Sequence, residues 1–131
     1  MRHRVVAIII QDGKILLLHR VKNGKEYYCL PGGGVEEQEM PEVAVSREIQ
    51  EELNLNINNI KKLFEFENRG GLETYYLIDN FSGELKPFGD TDFNKGIRDS
   101  VEWCNKKNIE QINLVPLKAK LLILQQINFN V

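Results

Sequence analysis

Gly32-Gly33-Gly34-Val35-Glu36-Glu37-Gln38-Glu39-Met40-Pro41-Glu42-Val43-Ala44-Val45-Ser46-Arg47-Glu48-Ile49-Gln50-Glu51-Glu52-Leu53-Asn54-Leu55 is the stretch from which the rest of the chain can be read. Its opening glycines predict a loop over 31–34, because glycine is the residue that frees the backbone from regular structure. From Pro41, which a first helical turn tolerates, Val45, Ile49 and Leu53 recur every four residues and predict a helix over Pro41–Leu53. Asn54 is its stop, since asparagine tolerates the left-handed conformation that ends helices. A glycine at 54 is then expected to be neutral or slightly stabilising, and a valine costly. On that helix Glu48, Glu51 and Glu52 fall at i, i+3 and i+4, on one face and bordering the apolar stripe. Carboxylates so close repel one another, and a cation relieves them. Hard oxygen ligands at this density suit Mg²⁺ or Mn²⁺. Taken singly, each half has a plainer reading. A glutamate-rich helix also arises as a solvated face with Arg47 paired to Glu51, and the glycines lack the Gly-Lys-Ser/Thr ending of a phosphate loop.

Outward from this stretch, the N-terminal third reads as strands. Residues 4–10 and 15–21 are rich in Val, Ile and Leu and flank Asp12-Gly13, a tight hairpin signal. A second turn at 22–25 leads to a strand over 26–30. Beyond the helix, 57–67 and 73–78 read as strands joined by Asn68-Arg69-Gly70-Gly71. Residues 79–100, punctuated by Gly83, Pro87, Gly89 and Gly96, read mainly as loop, followed by a short strand over 101–104. Pro116 precedes a closing helix over 117–127. Strands, one central helix, more strands and a last helix make an α/β fold, a mixed sheet covered by helices.

At 131 residues and 15.2 kDa the chain fits one domain, 1–131, able to stand as a monomer or a homodimer. Seventeen Lys and Arg against nineteen Asp and Glu give a net charge of −2, so no basic excess points to nucleic acid. The apolar runs at 5–10 and 15–18 are too short to span a membrane, and no small-residue cleavage site follows them. Cys29 and Cys104 are too few for a disulfide framework or a structural zinc site and read as free thiols in a reducing compartment. A soluble cytoplasmic protein is expected.

Read together, Gly33, five residues, Glu39, seven residues, Arg47-Glu48-Ile49, one residue, Glu51-Glu52, one residue, Asn54-Leu55 closely resembles the signature box of the Nudix hydrolases. Every fixed position matches except the last glycine, which is Asn54. Leu30-Pro31-Gly32-Gly33-Gly34 resembles the family's lead-in, and residues 16–20 its second strand ending in a basic residue. Glu102-Trp103 and Asn113-Leu114-Val115-Pro116 resemble its late strand and linker. The resemblance implies an α/β/α sandwich with the mixed sheet between helices. It also implies hydrolysis of the pyrophosphate of a nucleoside diphosphate linked to another moiety, with bound Mg²⁺ or Mn²⁺ and an attacking water.

Roles follow from the resemblance by position. Glu51 and Glu52 are metal ligands, Glu48 is a ligand or the base that activates water, and the Gly33 carbonyl is an additional ligand. Arg47 serves the same catalytic group through an ion pair with Glu39 that ties the loop to the helix and orients the carboxylates. Glu36 and Glu37 lie in the loop as outer contacts or solvated surface. An acid outside the box is expected from Asp99 or Glu102, with Asp90 and Asp92 behind them. Arg20, Arg69 and Glu102 are substrate candidates. Tyr28 reads as core and Trp103 as core or core edge, and His3 and His19 receive no role. The other reading is a Nudix-fold module that binds a nucleotide without cleaving it; such modules lose the box glutamates, and all three are present here.

Overall fold

The computed structural model describes residues 2–89 and 91–130, with the backbone alone for 91–93. Its elements are β1 (Arg2–Gln11), β2 (Lys14–Lys22), β3 (Lys25–Cys29), β4 (Gly32–Gly34), α1 (Pro41–Leu53), β5 (Asn56–Asn58), β6 (Lys61–Asn68), β7 (Gly71–Ile78), β8 (Asn80–Ser82), β9 (Thr91–Asp92), β10 (Ile97–Asn105), α2 (Lys106–Gln111) and α3 (Leu117–Gln126). A 3₁₀ turn, Phe93–Lys95, lies between β9 and β10. This is a mixed β-sheet with helices, the α/β class expected. Three hairpins close through pairs with positive φ at both central residues: Asp12-Gly13, Asn23-Gly24 and Arg69-Gly70. That combination matches the right-handed twist of the strands it joins. None of the helices among the described residues is long and apolar enough to cross a membrane.

Two compact units form, Met1–Ile9 with Leu30–Lys86, and Ile10–Cys29 with Pro87–Val131. In the first, β6 and β7 make an antiparallel hairpin, β7 runs parallel to β1, and β4 lies antiparallel on the other side of β1. Residues 5–9 of β1 are all buried, the pattern of a central strand covered on both faces. Ala44, Val45, Ile49 and Leu53 of α1 join that core.

Three expectations need correction in this unit. Residues 32–34 are not loop but strand β4, with Val5 opposite Gly33 and Val6 opposite Gly32. A Cβ at Gly32 would overlap the Val5 carbonyl, so only glycine allows the two backbones to approach this closely. The single strand expected over 57–67 is broken in two at Asn59, whose φ of 54° cannot continue a ladder. Part of the expected loop is also structured, since β8 pairs with β5.

The second unit is an antiparallel array in the order β3, β2, β10, β9. The strand expected over 101–104 starts four residues earlier and pairs with β2 from Ile97 opposite Lys22 to Asn105 opposite Lys14. Ile15, Leu16, Leu17 and Leu18 are buried on both faces of β2. The short helix α2 was not expected. Asn105 caps it by accepting the Asn108 N–H at 2.8 Å, and Ile109 is its buried anchor. Lys120 of α3 donates to the Glu110 and Ile112 carbonyls at the end of α2, at 3.3 and 2.8 Å. Cys104 is buried and Cys29 is half-buried.

Candidate active site

The expected helix places its carboxylates as the spacing requires. Val45, Ile49 and Leu53 fix the inward face of α1, which turns Glu48 and Glu52 toward β4 and leaves Glu51 outward, 61% exposed. Glu48 lies against Gly33 so closely that a methyl group there would overlap its carboxylate. One turn on, Glu52 accepts the Gly32 N–H at 3.4 Å. The i, i+4 glutamates thus grip two of the three glycines of one short strand, and the absent side chains of that strand are what admit them.

Arg47 holds the cluster. Its Nε and Nη2 donate to the two oxygens of Glu39 at 2.7 and 2.9 Å, a bidentate pair. Nη2 also donates to the Gly34 carbonyl at 3.0 Å. Nη1 donates to Glu48 Oε1 at 3.0 Å and to Glu51 Oε2 at 3.4 Å. The Arg47 hydrogen bond, and after it the Glu36 backbone N–H, pull the Glu39 carboxyl down to about 2. The same bond, ahead of one to Glu48, raises Arg47 further above its ordinary value. Glu39 precedes the helix, whose N-cap is Met40, so its partner is this guanidinium rather than the helix terminus. Glu36 lies 3.8 Å from Nη1 at the exposed edge. One positive charge therefore faces four carboxylates within 4 Å, those of Glu36, Glu39, Glu48 and Glu51.

Such a donor set fits a hard divalent cation by its chemistry. Glu48 and Glu51 already converge on a cationic atom, Arg47 Nη1. Among the described residues no three of His, Cys, Asp and Glu stand arranged to hold one ion as they are. The reason is visible in the contacts: two glutamates face Arg47 and the third faces the Gly32 N–H.

The remaining candidates are distributed differently. Arg69 occupies the exposed centre of the β6–β7 turn with φ 52°. In the second unit Arg20 and Asp99 are direct cross-strand partners and share a face. The Arg20 guanidinium carbon lies 4.8 Å from the Phe88 ring centre. Among the described residues its Nε is buried and has no hydrogen-bond partner. Asp99 sits under Gly89, where a Cβ would overlap its carboxylate. Glu102, three residues along the strand, points to the opposite face. Asp90 and the Asp92 side chain lie outside the described residues.

Sequence reasoning passed over what Glu102 touches. His19 Nδ1 lies 2.5 Å from Glu102 Oε2, and His19 Nε2 lies 2.8 Å from Glu26 Oε1. Tyr28 stacks on the imidazole at 4.2 Å and points its hydroxyl at Glu102 Oε1, 3.5 Å away. Burial, followed by the Glu102 charge, raises the Tyr28 phenol. The Asn23-Gly24 turn was the available signal, because a two-residue turn there makes Tyr28 the partner of His19. His3 has a partner too, with Nε2 2.8 Å from Thr74 Oγ1.

A NUDIX domain model matches residues 1–125 of the chain. The chain belongs to the Nudix hydrolase family. It is therefore an enzyme, a hydrolase acting on phosphorus anhydrides. This Nudix chain is 35% identical over 125 residues to a protein named ADP-ribose pyrophosphatase from Methanocaldococcus jannaschii, covering 77% of the chain and 73% of that protein. The MutT NUDIX hydrolase from Burkholderia pseudomallei superposes with a TM-score of 0.74 at 27% identity, over 97% of this chain and 98% of that one. The E. coli ORF135 protein superposes with a TM-score of 0.73 at 26% identity, over 95% and 88%.

Proposed function

We propose that residues 1–131 act as one Nudix domain that cleaves the pyrophosphate bond of a nucleoside diphosphate linked to another moiety, in the cytoplasm and with Mg²⁺ or Mn²⁺ as cofactor. The observation that carries this reading is the convergence of Glu48 and Glu51 on a single cationic nitrogen, with Glu48 and Glu52 pressed onto β4. Glu48, Glu51, Glu52 and the Gly33 carbonyl would hold the ion. When bound, it neutralises the dense negative charge of a diphosphate and makes a water acidic enough to attack. Glu48 is our choice for the base that takes the water's proton. Its environment supports the choice: 20% exposed and packed on Gly33, it is held in one orientation by Arg47. In the metal-free enzyme Arg47 holds it in place through Nη1.

We further propose Arg20 as a substrate contact to be tested by substitution; among the described residues its Nε has no hydrogen-bond partner. The relative named for ADP-ribose makes ADP-ribose the first compound to assay, within a panel of nucleoside diphosphate derivatives. Glu51→Gln and Glu52→Gln each remove a charged ligand and keep the shape of the side chain. Each should lower the metal-dependent rate by about two orders of magnitude with the fold intact. Full activity of both variants at saturating Mg²⁺ would refute the assignment of this helix as the metal site. Binding of the panel without turnover by wild type would favour a sensor.

A further inference from the structure

Arginine carries five N–H donors, and in this cluster all five are used. Three of them anchor the side chain to the loop, two on Glu39 and one on the Gly34 carbonyl. The other two, both on Nη1, go to Glu48 and Glu51. The guanidinium is thus divided. Its Nε/Nη2 edge is a structural fork, and its Nη1 end is a positive charge placed between two carboxylates that would otherwise repel.

We infer that Arg47 Nη1 is an internal counter-ion of the metal site, which holds Glu48 and Glu51 in the metal-free enzyme and releases them when a divalent cation enters. The inference rests on the metal-dependent reading given above and adds a role for one nitrogen. Three features carry it. The two carboxylates to which Nη1 donates belong to the proposed ligand set, whereas the Glu39 carboxylate on the opposite edge does not. An ion gripped by the same two carboxylates brings a double positive charge beside Nη1, and like charges at close range repel. Release leaves the side chain anchored by three donors, so the loop keeps its connection to α1 while water takes over the N–H groups of Nη1. The exposed flank formed by Glu36 and Glu51, 70% and 61% exposed, gives Nη1 that access.

A purely structural arginine and a competing counter-ion give opposite signs in one measurement. If Arg47 only holds the ligands in place, removing it weakens metal binding. If Nη1 competes with the metal, removing its charge strengthens binding. We expect Arg47→Gln to bind Mn²⁺ about threefold to tenfold more tightly than wild type by isothermal titration calorimetry without substrate, although its metal-free melting temperature falls. Glu39→Gln loosens the anchoring edge but leaves Nη1 on its two carboxylates, and should bind Mn²⁺ no more tightly than wild type. Unchanged or weaker binding by folded Arg47→Gln overturns the inference. Should that variant fail to fold, the wild type answers by NMR of ¹⁵N-arginine-labelled protein titrated with Mg²⁺. The Nη1 resonances of Arg47 should shift on saturation while the Nε resonance stays. Nη1 resonances unmoved by saturating Mg²⁺ overturn the inference equally. A wild type that binds neither ion removes the metal reading itself and this inference with it, an outcome distinct from the other two.

Discussion

Asn54 is the one fixed position of the box where this chain departs from the family, and its backbone is left-handed, with φ 61° and ψ 31°. On sequence alone, Asn54→Gly is expected to be neutral or better, because relief of the left-handed strain offsets the extra freedom of an unfolded glycine. The structure adds a third term. The Asn54 Nδ2 donates to the Glu84 carbonyl at 3.0 Å, and its Oδ1 accepts from Gln50 Nε2 at 3.4 Å. Glycine keeps the backbone bond to the Gln50 carbonyl but loses both side-chain bonds. Strain relief is worth about 1 kcal/mol. The added unfolded-state entropy costs about 0.4–1 kcal/mol. The lost bond to Glu84 costs about 0.5–1.5 kcal/mol. The balance is a loss of about 0–1.5 kcal/mol, centred on about 0.7, and at that centre a domain of this size should melt about 2–4 °C lower. Asn54→Val loses the same bonds and gains strain, so it should cost about 2 kcal/mol or more. Denaturant unfolding of the three proteins, beside their turnover numbers, makes the test. Neither substitution should alter the rate of the folded fraction, because residue 54 touches none of the proposed ligands. An Asn54→Gly protein as stable as wild type would refute a bracing role of the asparagine side chain at the end of α1.

The depressed Glu39 carboxyl gives a pH dependence with a definite sign. A folded-state value of about 2 against an ordinary 4.5 means that the ion pair stabilises fully above about 4.5 and loses its contribution as pH falls toward 2. Unfolding free energies measured down that range should decline less steeply in Glu39→Gln than in wild type, and parallel curves would refute the pairing. Gly33→Ala sets a methyl group against the Glu48 carboxylate. It should destabilise the protein by about 1–3 kcal/mol and weaken Mn²⁺ binding, both read in one calorimetric series; an unchanged variant would mean that Glu48 does not pack on Gly33.

What was legible in the sequence was local. The helix over Pro41–Leu53, its left-handed stop and the face shared by Glu48, Glu51 and Glu52 depend on residues within one or two turns of each other. The Glu39–Arg47 pair lies eight residues apart and was legible through the box. The strand Gly32–Gly34 was not, because three glycines offer no side-chain alternation and the pairing is supplied by the Val5 backbone. Strand β10 was cut short for a related reason. Its first residues, Ile97-Arg98-Asp99-Ser100, carry one apolar side chain in four, and the partner that orders them lies some eighty positions earlier. Helix α2 has six residues and a single buried anchor, too little for a periodicity to register.

The same distinction between local and distant decides how the acids outside the box should be read. Asp99 and Glu102 stand three residues apart, and nothing in the sequence separates them as candidates. On a strand three residues is an odd number, so their side chains must leave by opposite faces. Register then gives each acid its neighbours. Asp99 falls opposite Arg20, on the face where, among the described residues, a buried guanidinium nitrogen lacks an acceptor and Phe88 stacks on the charge. Glu102 falls on the face of His19, where one oxygen meets the imidazole and Ser100 Oγ and the other meets the Tyr28 hydroxyl. Three neighbouring strands, β3, β2 and β10, are tied there by side chains as well as by their backbone ladders. A carboxylate with both oxygens engaged gives up those bonds before it can take a ligand, whereas the Arg20 Nε has no bond to give up among the described residues. Arg20 is therefore the residue of the second unit to vary first when the substrate panel is screened.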